Sequence, residues 1–187
     1  MRNICFATGN EGKFREAQHI LSGFELEQIN IDLPELQGSV AEVALEKARI
    51  AFNKTKKPVF VDDTALACDA LKGMPGVYIK HFLEAIGTKG IVKMVEAFGN
   101  MNAEALCAIG YCDGIREEVF VGTCKGLIVQ PREGKHKSFG WDPLFQPEGY
   151  TDTFATLSPE GKNEISHRRR ALAQFEEFLE KTIEMKS

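Results

Sequence analysis

ATGNEGKFREAQHIL, residues 7–21, follows directly on the apolar run Ile4-Cys5-Phe6. Thr8-Gly9-Asn10 breaks that run. Beyond the break Phe14, Ala17, Ile20 and Leu21 recur at the spacing of one helix face. The stretch therefore predicts a strand, a glycine turn and a helix with Lys13 at its mouth, the opening of an α/β chain. A helix N-terminus offers backbone N–H groups and a positive dipole end to an anion. This makes Thr8, Gly9, Asn10, Glu11, Gly12 and Lys13 candidate phosphate contacts. The turn is not a standard P-loop, which needs G-x-x-x-x-G-K-[ST]. Gly9 and Gly12 are too close together, and Phe14 stands where Ser or Thr should be, which disfavours a P-loop kinase or GTPase. A plain glycine turn with a surface lysine is an equal alternative on these residues alone.

Outward from this stretch the pattern stays mixed. Ser39-Val-Ala-Glu42 is a capping box and opens a helix to about residue 55, with Val40, Val43, Ala44, Ala48 and Ala51 on its apolar face. Residues 58–61 read as a short buried strand running straight into Asp62-Asp63-Thr64. Helical patterns follow at 79–86 and 89–98, stopped by Gly87 and Gly99. Residues 103–112 and 117–121 read as a hairpin about Asp113-Gly114, with a further strand near 126–129. Leu172, Phe175, Phe178, Leu179 and Ile183 mark a last helix. The pattern predicts one mixed α/β domain over residues 1–187, arranged as two lobes around a central cleft.

The 187 residues, of which 43% are apolar and 27% charged, suit a soluble globular domain. A net charge of −4 disfavours non-specific nucleic-acid binding, which depends on neutralising phosphates. No apolar run reaches the ~18–20 residues of a membrane span. The N-terminus lacks the pattern of a signal peptide. Five cysteines without C-x-x-C spacing read as reduced, buried thiols and fit a cytoplasmic location.

Several further stretches carry chemistry. Asp62-Asp63 ends an apolar strand, where α/β proteins place functional groups. Neighbouring strand residues point opposite ways, so one aspartate at most faces a given site. Glu35 offers a second loop carboxylate behind Pro34, and magnesium prefers such ligands with phosphate oxygens and water. Lys47 falls on the second helix. Phe139-Gly140-Trp141-Asp142 contains the sole tryptophan. It reads as an aromatic platform for a planar base or as a core aromatic beside a turn. Ser166-His167-Arg168 opens the last helix as a basic cluster, with Ser166 as its cap. Together these residues suit metal-assisted attack of water on a nucleotide.

In order along nearly the whole chain, Thr8-Gly9-Asn10 with Lys13, Leu33-Pro-Glu-Leu-Gln-Gly38, Val61-Asp-Asp-Thr64, Gly73-Met-Pro-Gly-Val-Tyr-Ile-Lys80, Phe139-Gly-Trp-Asp-Pro143 and Ser166-His-Arg168 resemble the motifs of the inosine triphosphate pyrophosphatases. The wording is most similar to the eukaryotic-type branch, with Asp62 standing where close relatives of that branch have Glu. The resemblance implies an elongated central mixed sheet with flanking helices and a nucleotide cleft between two lobes. It implies a cytoplasmic homodimer that cleaves ITP, dITP and XTP to the monophosphate and pyrophosphate. Mg2+, with Mn2+ as a substitute, would be held by Glu35 and Asp63. Asp63 and Lys13 would be catalytic. Lys13, Lys47, Thr64 and Lys80 would face the triphosphate or its path. Phe139, Gly140, Trp141, Asp142, Lys162, Ser166, His167 and Arg168 would handle base and sugar, with Arg168 and His167 reading the 6-carbonyl. A related pyrophosphatase for pyrimidine or methylated nucleotides, and a non-catalytic nucleotide sensor, are the alternatives.

Overall fold

The computed structural model describes residues 3–135 and 140–184. The opening stretch folds as its pattern predicts. The apolar run is strand β1 (Asn3–Ala7), and the stripe behind the glycine turn is helix α1 (Glu11–Ile20). β1 pairs in parallel with β2 (Glu25–Ile29) from Asn3↔Glu25 to Ala7↔Ile29. It also pairs in parallel with β3 (Val59–Cys68) at Cys5↔Val59 and Phe6↔Phe60. Parallel strands covered on both faces read as unbroken apolar runs, as Ile4-Cys5-Phe6-Ala7 and Val59-Phe60-Val61 do. Helix α2 (Val40–Thr55) joins β2 to β3, and its capping box forms between Ser39 and Glu42.

The sheet has seven strands in the order β2-β1-β3-β5-β6-β7, with β4 (Pro75–Gly76) on β3 in antiparallel pairing. β5 (Asn102–Cys112) and β6 (Glu117–Ile128) are neighbours, and β7 (Phe145–Pro147) is antiparallel to β6. Helices α3 (Ile79–Glu96), α4 (Pro159–Ile165) and α5 (His167–Glu184) complete a mixed α/β fold. None of the described helices is long and apolar enough to cross a membrane.

Two readings of the sequence need correction. β3 does not end at the aspartates but continues to Cys68, because Leu66 and Cys68 are themselves buried core residues. The separate strand expected near 126–129 is the far half of β6. Ser166 stands directly before α5, and ahead of it lies α4, a helix that the sequence does not announce, capped by Ser158 with a proline in its first turn. Its short, polar sequence gives no apolar stripe to read. Gly87 does break the helical pattern, with φ 66° and ψ 178° inside α3.

The fold divides into two compact units. The first takes its described residues from 1–63, 107–122 and 168–187, the second from 64–106 and 123–167. The chain therefore passes between them within β3, β5 and β6 and again at His167–Arg168. The core of the first holds Phe6, Leu21, Phe60, Ile109, Leu172 and Phe175. Phe6 stacks on Phe60 at 4.3 Å between ring centroids, and Phe175 lies 5.0 Å from Phe60. Burying each such ring contributes about 1.5–3 kcal/mol. The core of the second gathers Leu66, Ile79, Ile91, Val95, Leu144 and Phe145. All five cysteines are buried thiols outside any disulfide.

In the first unit α2 lies close on β5 at Gly110, where a Cβ would come within 2.2 Å of the Ala44 carbonyl oxygen and 2.9 Å of the Leu45 nitrogen. Backbone cannot yield as a side chain can. Gly110→Ala is expected to cost at least about 1–3 kcal/mol, the usual range for overpacking. Gly23→Ala, with nothing within 4 Å of its Cβ, should change stability little. Urea melts of the two variants make the comparison, and equal midpoints would refute it.

Candidate active site

The β1–α1 turn is held from within. Thr8 donates its N–H to the Ile29 carbonyl at 3.0 Å, and its Oγ1 accepts the Asn10 N–H at 3.1 Å. Asn10 Oδ1 accepts from the amides of Gly12 at 2.9 Å and Lys13 at 3.1 Å. Gln28 Nε2 donates to the Thr8 carbonyl and to Glu11 Oε1. The amides that the sequence offered to phosphate are thus capped by Asn10, so an anion at this turn would replace a side-chain oxygen. The Lys13 ammonium reaches across to β3, 3.0 Å from the Asp62 carbonyl and 2.5 Å from Asp62 Oδ1.

The two aspartates of β3 have separate partners, as strand alternation requires. Asp62 has no exposed side-chain surface. Its Oδ2 accepts from Arg168 Nε at 2.6 Å and from the Cys107 thiol at 3.3 Å. Arg168, 2% exposed, also pairs through Nη1 with Glu16. Burial works against the Asp62 charge, but the Arg168 and Lys13 cations outweigh it and hold its pKa well below the ordinary value. Burial and the Asp62 carboxylate push the Cys107 thiol far up.

Asp63 accepts from Lys47 Nζ at 2.8 Å, and the same ammonium lies 3.4 Å from Glu35 Oε2. Burial pushes the Asp63 carboxyl above its ordinary value, against the pull of Lys13 and Lys47. Burial opposes the Lys47 charge, yet Asp63 and Glu35 keep its pKa above the usual lysine value. Glu35 and Asp63 thus reach one common cation, here an ammonium, and both present the hard oxygen donors that magnesium takes. Among the described residues no group of three or more His, Cys, Asp or Glu could hold a metal ion. Two carboxylates plus phosphate oxygens and water remain a sufficient set for magnesium.

Of the base-handling candidates, Gly140, Trp141, Asp142, Lys162, Ser166 and His167 lie in the second unit. Lys162 Nζ bonds Asp142 Oδ2 at 2.7 Å, with the two side chains 7% and 6% exposed. Trp141 is 7% exposed. Its ring lies 5.5 Å from Phe145 and 5.3 Å from His167, and Phe154 stacks on His167 at 5.7 Å. Trp141 packs in the core cluster of the second unit. Gly140 turns the chain at φ 64°. Ser166 is buried and donates its N–H to the Lys162 carbonyl. Lys80 is exposed in the first turn of α3, and Thr64 follows Asp63 on β3. Phe139 lies outside the described residues.

Arg168 departs most from expectation. The sequence reading puts it on the base, whereas its contacts tie it to Asp62 and Glu16 in the first unit. Glu16 and Cys107 were not singled out. Glu16 carried a signal, since it stands three residues after Lys13 and so shares its helix face. Cys107 carried none beyond its apolar strand.

The Asp62 contacts fix a pH dependence. A carboxylate with a depressed native pKa contributes its stability in full above the unfolded value of about 3.9. That contribution is lost as pH falls from there towards the native value. Asp62→Asn should therefore flatten the acid limb of the stability–pH curve, measured by urea melts below pH 5. An unchanged slope would show that Asp62 is not the linked group.

Comparison with known proteins gives these contacts a setting. Residues 4–178 match the model of the Ham1 family. The chain is 48% identical over 186 residues to the inosine triphosphate pyrophosphatase of Yarrowia lipolytica, covering 97% of this chain and 98% of that protein. It is 45% identical over 180 residues to the enzyme of the same name from Aspergillus fumigatus, covering 95% and 94%. Among solved structures, a HAM1 protein from Coxiella burnetii superposes with a TM-score of 0.85 at 29% identity, over 97% of this chain and 100% of that one. A nucleoside-triphosphatase, or dITP/XTP pyrophosphatase, from Mycobacterium abscessus gives 0.72 at 32% identity, over 92% and 98%. Matched over nearly its whole length in sequence and in fold, the chain belongs to the Ham1 family.

Proposed function

We propose that this protein hydrolyses non-standard purine nucleoside triphosphates, namely ITP, dITP and XTP, to the monophosphate and pyrophosphate. The observation that carries this reading is the Lys47 ammonium between the Glu35 and Asp63 carboxylates in the first unit, with the Lys13 ammonium on the adjoining Asp62. The names of the relatives supply the substrate class. The enzyme would act in the cytoplasm as a homodimer.

Each residue has a task in this reading. Glu35 and Asp63 would hold Mg2+, or Mn2+ in its place. The ion, when bound, screens the triphosphate and lowers the pKa of bound water. Lys13 and Lys47 neutralise the charge that builds on the departing pyrophosphate. Asp63 would also take the proton of the attacking water. Asp142, Lys162, Trp141 and His167 would handle the base and sugar. Arg168, committed to two carboxylates, acts through Asp62 to fix Lys13.

Three measurements test the reading. ITP should give inosine monophosphate and pyrophosphate in equal amounts, and release of orthophosphate with the diphosphate would overturn it. Asp63→Asn should lower kcat for ITP by about 10²–10⁴ while the protein stays folded by circular dichroism. Near-normal turnover would move the base role to another group. Arg168→Ala should lower kcat/KM for ITP and ATP by a common factor. A selective loss for ITP would instead return Arg168 to the 6-carbonyl.

A further inference from the structure

Lys47 stands between the two carboxylates that the proposed function gives to the metal, 2.8 Å from Asp63 and 3.4 Å from Glu35. An ammonium and a divalent ion cannot share that place without strong like-charge repulsion. We propose that Lys47 is a positioning residue that keeps a bare divalent ion off Glu35 and Asp63, so that the protein accepts metal together with a triphosphate. This rests on the metal role assigned above to those two carboxylates.

The surroundings give the exchange its direction. Lys47 and Asp63 are 12% and 14% exposed, whereas Glu35 is 57% exposed. The inner contact is thus shielded and the outer one open. For a bare ion to displace the ammonium, a half-buried Lys47 must lose both carboxylates and gain nothing, while burial already opposes its charge. A triphosphate changes the balance because it brings anionic oxygens of its own. Lys47, on a flexible four-carbon stem, can then pass from carboxylate to phosphate without being left uncompensated. The same side chain serves twice, first holding Glu35 and Asp63 together and then pairing with the substrate.

The test is Mn2+ binding to nucleotide-free protein, with free ion counted by its electron paramagnetic resonance signal. Wild type should bind Mn2+ weakly, and Lys47→Met should tighten binding by about 10-fold or more, as expected for removing a charge within a few ångströms. Lys57→Met removes an equal charge from beside Glu27 and should change Mn2+ affinity far less. Glu35→Gln placed on Lys47→Met should abolish the gain. The proposal is overturned if wild type and Lys47→Met bind alike. It is equally overturned if Lys57→Met tightens binding as much, or if the gain survives Glu35→Gln. Lys47→Gln answers the same question if the methionine variant does not fold. Wild-type protein that fails to hydrolyse ITP would sink the proposed function and leave the Mn2+ order standing. Hydrolysis with unchanged Mn2+ affinities would do the reverse.

Discussion

A carboxylate with no exposed surface, Asp62, is held by a guanidinium on one oxygen and an ammonium on the other. Moving such charges out of water costs several kcal/mol per ion, so the arrangement holds only while the set is complete. That condition reaches far along the chain. Lys13 comes from the first turn of α1, Glu16 from the next turn, Asp62 from β3 and Arg168 from the start of α5. Three segments distant in sequence are thereby required to meet. The β1–α1 turn, β3 and α5 cannot shift independently without stranding a buried charge.

The neighbouring residue on β3 shows the other half of the same constraint. Asp63 points away from this network, and its ammonium partner is also shared with an exposed loop carboxylate. One strand thus presents a closed ion cluster on one side and an open one on the other. The closed cluster has its charges mutually bound. The open one has the exposed carboxylate of Glu35 at its edge.

Much of this was legible in the sequence, for reasons that vary by residue. The apolar runs of β1 and the start of β3, the Ser39–Glu42 box and the break at Gly87 each follow from local chemistry. Asp63, Glu35, Lys13 and Lys47 were marked by their chemistry and by resemblance, and the structure brings them within one or two contacts of each other. What stayed hidden depends on partners far apart in the chain. Nothing near Arg168 says that its guanidinium meets Asp62 and Glu16 rather than a base. Nothing near Trp141 says that its ring is closed in beside Phe145, His167 and Phe154. The extent of β3 was missed because two aspartates look like the end of a strand when their counter-ions cannot be seen.

Neither compact unit is a continuous piece of chain, because β3, β5 and β6 each contribute residues to both. No cut at one point, and no pair of cuts, releases a complete unit. Neither can be exchanged between proteins as a cassette, as consecutive domains can. A protein built this way diversifies in place, by substitution on strands that both units own.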